Sequence, residues 1–201
     1  ATGYDRAGRV TSETDANGHT TAYRYDKNGL VTQITDAQGQ KAQFAYDALG
    51  NVTKITAPGK AVTLYEYDGA GRALSMTDPE GCVTAYGYNE AGQIAWSSVN
   101  GNATQYEYDA AGNVTAVTDA EGRRVTFAYD LAGRMTETVC PDGSKDTTEY
   151  DLLGRVVKTT PRTGLATAYE YDAMGNVLSV TQGDRVTRYE YDLLGRLGKQ
   201  T

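Results

Sequence analysis

Short stretches of alternating apolar and polar residues run along this chain, cut by turn residues about every ten positions. In one stretch, Thr20 to Tyr25 is rich in β-formers and aromatics, Asp26-Lys27-Asn28-Gly29 is a turn, Leu30 to Thr35 is β-rich again, and Asp36-Ala37-Gln38-Gly39 is a second turn. The pattern predicts two short strands and two turns per unit. The strand before the first turn carries its rings two apart, so that they share one face: Tyr23 with Tyr25, Phe44 with Tyr46, Tyr65 with Tyr67 and Tyr106 with Tyr108. Between them stand Arg24, Ala45, Glu66 and Glu107, a mostly polar opposite face. No apolar set recurs at helical spacing, and glycine comes too often for helix.

The strand after the first turn is less regular. An apolar residue sits two beyond the glycine (Val10, Val31, Val52, Val114), and a second often follows three further on (Ile34, Ile55, Val117). A spacing of three does not fit strict alternation. It implies either a bulge between the two or a strand partly buried on both faces.

The unit is a repeat. Tyr-Asp-x-x-Gly recurs as Tyr4, Asp5, Gly8; Tyr25, Asp26, Gly29; Tyr46, Asp47, Gly50; Tyr67, Asp68, Gly71; and, with asparagine for aspartate, Tyr88, Asn89, Gly92. It continues as Tyr108, Asp109, Gly112; Tyr129, Asp130, Gly133; Tyr150, Asp151, Gly154; Tyr171, Asp172, Gly175; and Tyr191, Asp192, Gly195. The tyrosines are 21 residues apart except for two steps of 20. Aspartate at the first position and glycine at the fourth suit a type I turn closed by a left-handed residue. The second turn varies more, from Asp15-Gly18 to Pro58-Gly59, Asn100-Gly101 and Gln182-Gly183. The expected fold is all-β: antiparallel hairpin repeats forming a long curved sheet, with residues 1–201 as a single array of ten repeats cut from a longer chain. About 20 strands at ~4.8 Å give a strip roughly 95 Å long and ~20 Å wide.

Composition narrows the function. Tyrosine numbers 16 and glycine 23 of 201 residues, and 22% of residues are charged, which suits a folded chain. The net charge of −7 argues against a nucleic-acid partner, which needs a basic footprint. No apolar run reaches the 18 residues of a membrane span.

Candidate chemistry is sparse. A residue type repeated ten times at one place builds the repeat more readily than it catalyses a reaction. Turn aspartates in successive copies fall two strands, ~10 Å, apart, too far to share a calcium ion, and the turns lack an EF-hand pattern. Asn89 stands where a carboxylate reaction needs an acid. His19 is the single histidine, at a turn, and Cys82 and Cys140 are distant from it and from each other. No metal, no cofactor and no catalytic residue is therefore expected, and the thirty Tyr-Asp-Gly positions are read as structural.

The pattern Tyr-x-Tyr-Asp-x-x-Gly-Arg/Asn-Val-Thr…Thr-Asp-x-x-Gly resembles the Rhs/YD-repeat family, with Tyr106 to Thr118 and Tyr169 to Thr181 as close matches. The family includes polymorphic toxins, components of insecticidal toxin complexes, wall-associated bacterial proteins and teneurins. The resemblance implies a segment of a spiral β-shell, secreted or at a bacterial cell surface. Such a shell sequesters a toxic C-terminal domain of the parent protein until delivery. The implied partners are that domain and the remaining repeats. The family's self-cleavage is carried over to no residue here. A carbohydrate-binding or adhesive extracellular repeat module is the alternative. Sugar-binding arrays of similar period rely on paired tryptophans, and Trp96 stands alone.

Overall fold

The computed structural model describes residues 1–192 and 194–201. All its regular elements are strands, and they cluster into two compact units, Ala1–Ala103 and Thr104–Thr201. The first holds β1 (Thr2–Tyr4), β2 (Val10–Thr14), β3 (Thr20–Tyr25), β4 (Val31–Thr35), β5 (Lys41–Tyr46), β6 (Val52–Thr56), β7 (Val62–Tyr67), β8 (Ala73–Thr77), β9 (Val83–Tyr88) and β10 (Ile94–Val99). The second holds most of β11 (Asn102–Tyr108), then β12 (Val114–Thr118), β13 (Arg124–Tyr129), β14 (Met135–Val139), β15 (Lys145–Tyr150), β16 (Val156–Thr160), β17 (Thr167–Tyr171), β18 (Val177–Gln182), β19 (Arg185–Tyr191) and β20 (Leu197–Gln200). Within each unit every strand pairs antiparallel with the next, so the first turns line one edge and the second turns the other. The all-β hairpin-repeat class is the one expected from the pattern.

The register settles the spacing of three. In the hairpin β3–β4, Tyr23 faces Ile34 and Arg24 faces Gln33, yet Tyr25 faces Val31, so Thr32 is an extra residue. The same shift recurs in the other nine hairpins, where the residue after the first strand valine (or its substitute) is bulged. A bulge moves the alternation by one. Val31 and Ile34 therefore both join the face that carries Tyr23 and Tyr25.

Hairpins are joined to one another less completely than they are built. Between β2 and β3 the ladder holds Ser12–Ala22, Glu13–Thr21 and Thr14–Thr20, all next to the second turn, and then stops. The junctions β4–β5, β6–β7, β8–β9, β12–β13 and β14–β15 likewise hold three pairs each. Toward the first turns, neighbouring hairpins are left without backbone pairing.

The two 20-residue steps have a local cause. Most second turns place five residues between the flanking pair, as between Thr14 and Thr20. Gln182 pairs directly with Arg185, leaving the two-residue loop Gly183-Asp184, with Gly183 at φ 57° as a type II′ turn requires. Asn100 at φ 50° and Gly101 at φ 84° form the type I′ equivalent. At Pro58-Gly59-Lys60, by contrast, Lys60 takes φ 72°, where other copies put glycine.

Packing is confined to the sheet. Among the described residues only Ala116 and Ser179 are buried, and no large side chain is fully covered. Along the aromatic face of each unit all the described rings but Tyr4 are half-buried. On the opposite face Trp96 lies flat over Gly87, where a Cβ would stand 2.0 Å from the indole Nε1. That contact explains a glycine in a strand centre.

Candidate functional site

The first turn is the most strongly determined feature of each repeat. In all ten copies the glycine amide donates to the carbonyl of the turn's first residue, at 2.9–3.2 Å. The amide of that first residue donates to the carbonyl of the residue after the glycine, at 2.9–3.0 Å. All ten glycines take φ between 75° and 93°, a region costly for any residue with a Cβ. Nine of the ten copies supply an aspartate carboxylate. At Asp5, Oδ1 accepts the amides of Ala7 (2.8 Å) and Arg9 (3.0 Å), which fixes the loop from inside.

The other carboxylate oxygen gives a role to the Arg/Asn position of the pattern, to which sequence reading assigns none. Arg9 Nε donates to Asp5 Oδ2 at 2.7 Å, and Arg72, Arg134, Arg155 and Arg196 do the same in their own turns. Asn51, Asn113 and Asn176 donate through Nδ2 at 2.8–2.9 Å. These bonds hold the aspartates ionised. Asp5 and Asp68 lie below the usual carboxylate value through the arginine amide first and its side chain after. Asp47, Asp109, Asp130 and Asp172 do so through the side chain of the residue after the glycine. The signal was present as Arg or Asn recurring directly after the turn glycine, but a spacing argument treats that position as the mere start of a strand.

The arginine reaches further, into the gap between hairpins. Arg9 stacks on the ring of Tyr25 in the next copy at 4.7 Å, and Arg72 on Tyr88, Arg134 on Tyr150 and Arg155 on Tyr171 at 4.6–4.7 Å. Arg9 Nη1 also donates to the carbonyl of Asp26 (3.2 Å), and Arg155 Nη1 to that of Asp172 (3.0 Å). Tyrosine closes the gap from the other side. The Tyr25 hydroxyl donates to the carbonyl of Val10, 15 residues earlier, at 2.6 Å. Tyr46, Tyr88, Tyr129, Tyr150 and Tyr171 make the same bond to Val31, Ala73, Val114, Met135 and Val156, at 2.7–3.0 Å. That carbonyl lies beside the bulge and beyond the last backbone pair of the junction, so it needs a side-chain donor. The Tyr-Asp-Gly positions thus meet at one edge: Asp and Gly shape their own turn, and Tyr binds the copy before.

The remaining candidates fall elsewhere. His19 follows Gly18 in a second turn and sets Nδ1 3.0 Å from Asp15 Oδ2, both side chains exposed, in the position Arg123 takes toward Asp119. Cys82 and Cys140 are free thiols, one in each unit. Among the described residues no group of three His, Cys, Asp or Glu side chains could hold a metal ion. Among the described residues no helix is long and apolar enough to cross a membrane.

Comparison with known proteins follows the period. The RHS Repeat family matches residues 4–41, 25–62, 46–81, 67–99, 88–124, 108–145 and 150–186, successive matches beginning on successive tyrosines over most of the chain. The chain belongs to the RHS repeat family. No curated protein matches it by sequence. Among solved structures, 98% of these RHS repeats align with a TcdB2–TccC3 crystal structure lacking the hypervariable C-terminal region, at 16% identity and TM-score 0.44. The Photorhabdus luminescens Tc holotoxin pore aligns over 98% at 17% identity and TM-score 0.39. In both cases the RHS segment spans 15% of the other chain.

Proposed function

We propose that these ten repeats act as one array, a non-catalytic structural segment in the wall of an RHS-type shell. The shell sequesters a toxic C-terminal domain of a longer parent protein until delivery, and works outside the cell or at a bacterial surface. The observation that carries this reading is how the polar groups of the repeat are used. Where a first turn carries them, its carboxylate and guanidinium are bound to the turn itself or to the adjacent hairpin, and six tyrosine hydroxyls are bound to the hairpin before. A wall asks for this arrangement: a repeated joint and a broad surface without a converging site. The half-buried aromatic face gives such a wall a side on which other parts of the parent protein pack. The alternative of an exposed sugar-stacking array draws less support, because six tyrosine hydroxyls are committed to backbone carbonyls.

The test uses the intact parent protein, digested with protease before and after denaturation, with fragments identified by mass. A C-terminal fragment that survives in the native sample and vanishes after unfolding is the expected result. Equal cleavage of that region in both samples would remove the enclosing role.

A further inference from the structure

Asparagine followed by glycine occurs three times, at Asn17-Gly18, Asn28-Gly29 and Asn100-Gly101. All three asparagines are exposed, and all three glycines are left-handed. The pair is chemically labile, because glycine has no Cβ to shield its amide nitrogen from the asparagine side chain. The turns treat that nitrogen differently. Gly18 donates to the Asp15 carbonyl at 3.3 Å, and Gly29 to the Asp26 carbonyl at 3.2 Å. The amides of Asn17 and Asn28 are held as well, by Oδ1 of Asp15 (2.8 Å) and of Asp26 (2.9 Å). The two-residue turn at Asn100 has no such aspartate. Among the described residues the Gly101 amide meets no acceptor, and a Cβ placed on Gly101 would find open space. Asn100 is tied to Val83 instead. Its amide donates to the Val83 carbonyl at 2.7 Å, and its side-chain Oδ1 accepts the Val83 amide at 2.9 Å.

We propose that Asn100 is a site of self-modification, at which the Gly101 nitrogen closes a succinimide and water opens it to aspartate and isoaspartate. The Gly101 nitrogen gives its proton to hydroxide and bonds to Cγ of Asn100. The Cγ–Nδ2 bond breaks, and Nδ2 takes a proton from water and leaves as ammonia, returning the hydroxide. Water then adds to one of the two ring carbonyls. Cleavage at Cγ gives aspartate, and cleavage at the main-chain carbonyl gives isoaspartate, whose chain runs through Cβ. Two features single out this copy. The attacking nitrogen is free of the bond that holds it in the other two turns. The Val83 amide sits on Oδ1, where negative charge develops as Cγ becomes tetrahedral, and a donor already in place there lowers the barrier. Isoaspartate adds a main-chain atom to a turn of only two residues, which has no slack for it. The change therefore marks aged copies of the chain at the turn between β10 and β11. The inference does not depend on what the repeats enclose.

The 201-residue chain, kept folded in warm, mildly alkaline buffer and sampled over days, tests it. Peptide mapping by mass locates each amide lost, and an isoaspartate-specific methyltransferase labels the isomer. Asn100 is expected to convert roughly tenfold faster than Asn17 and Asn28, the weight of the one hydrogen bond that their glycines must first break. In urea at the same pH those bonds are gone, and the three rates are expected to come together. Equal rates in the folded chain, or Asn17 or Asn28 reacting first, overturn the proposal. So does an Asn100 that stays intact in the folded chain yet reacts in urea, because the Val83 bond would then lock the side chain instead of activating it.

Discussion

Tyr46 illustrates how one side chain holds two repeats together. Its hydroxyl bonds the Val31 carbonyl at 2.7 Å, and desolvation, with the Asp26 charge adding to it, pushes its pKa up, keeping the donor protonated. Tyr46→Phe keeps the ring and strands the carbonyl, so urea unfolding is expected to show a loss of about 1 kcal/mol. A variant as stable as the parent would mean that water replaces the hydroxyl at no cost. The turn aspartates make the chain acid-sensitive. Their folded values lie below the ordinary 3.8, so their contribution is present above that pH and is lost as pH falls through the folded values. The denaturant midpoint is expected to be level from pH 7 to about 5 and to drop steadily below about 4; a midpoint unchanged at pH 2 would refute this. At this scale the sequence announced aspartate and glycine, whose partners lie within four residues. It showed the arginine but not its role, because the ring it stacks on is 16 residues away and Leu30, Asn51 and Gln93 interrupt the series.

Strands and turns were legible because each is decided locally, by β-branched and aromatic residues between Asp…Gly brackets. The bulge was only half legible. Val31 and Ile34 announce a break in alternation, but a bulge is a relation between two strands, and the pairing partners Tyr25 and Tyr23 had to be in place before one reading could be chosen. The same holds for the 20-residue steps, which are two-residue turns in disguise. One second turn carries a removable strain. Lys60 is exposed and left-handed at φ 72°, which costs a residue with a Cβ ~1–2 kcal/mol. Glycine gives back part of that gain as chain entropy, so Lys60→Gly is expected to raise stability by about 0.5–1 kcal/mol in urea titration. A loss instead would show that the lysine stem makes a contact worth more than the strain.

Among the described residues only Ala116 and Ser179 are buried, so neither unit has a central core. Stability then resides in contacts between neighbours, as in other repeat proteins. Removal of residues 42–62, one period, rejoins Lys41 to Thr63 in phase. The shortened chain is expected to keep its circular dichroism per residue and a cooperative transition. Removal of residues 42–61 leaves one residue too many and turns the following side chains to the wrong face. That variant is expected to melt earlier, and equal melting of the two would show that second turns absorb a slip freely. The junctions also differ in what fastens them. Arg9, Arg72, Arg134 and Arg155 each bolt one hairpin to the next, while Leu30 carries no such group and Asn51, Asn113 and Asn176 spend their amides inside their own turns. Under mechanical tension the chain is therefore a row of unequal springs. Drawn through a narrow opening, it would part first at the asparagine and leucine joints and shed its hairpins in an order written by the residue after each turn glycine.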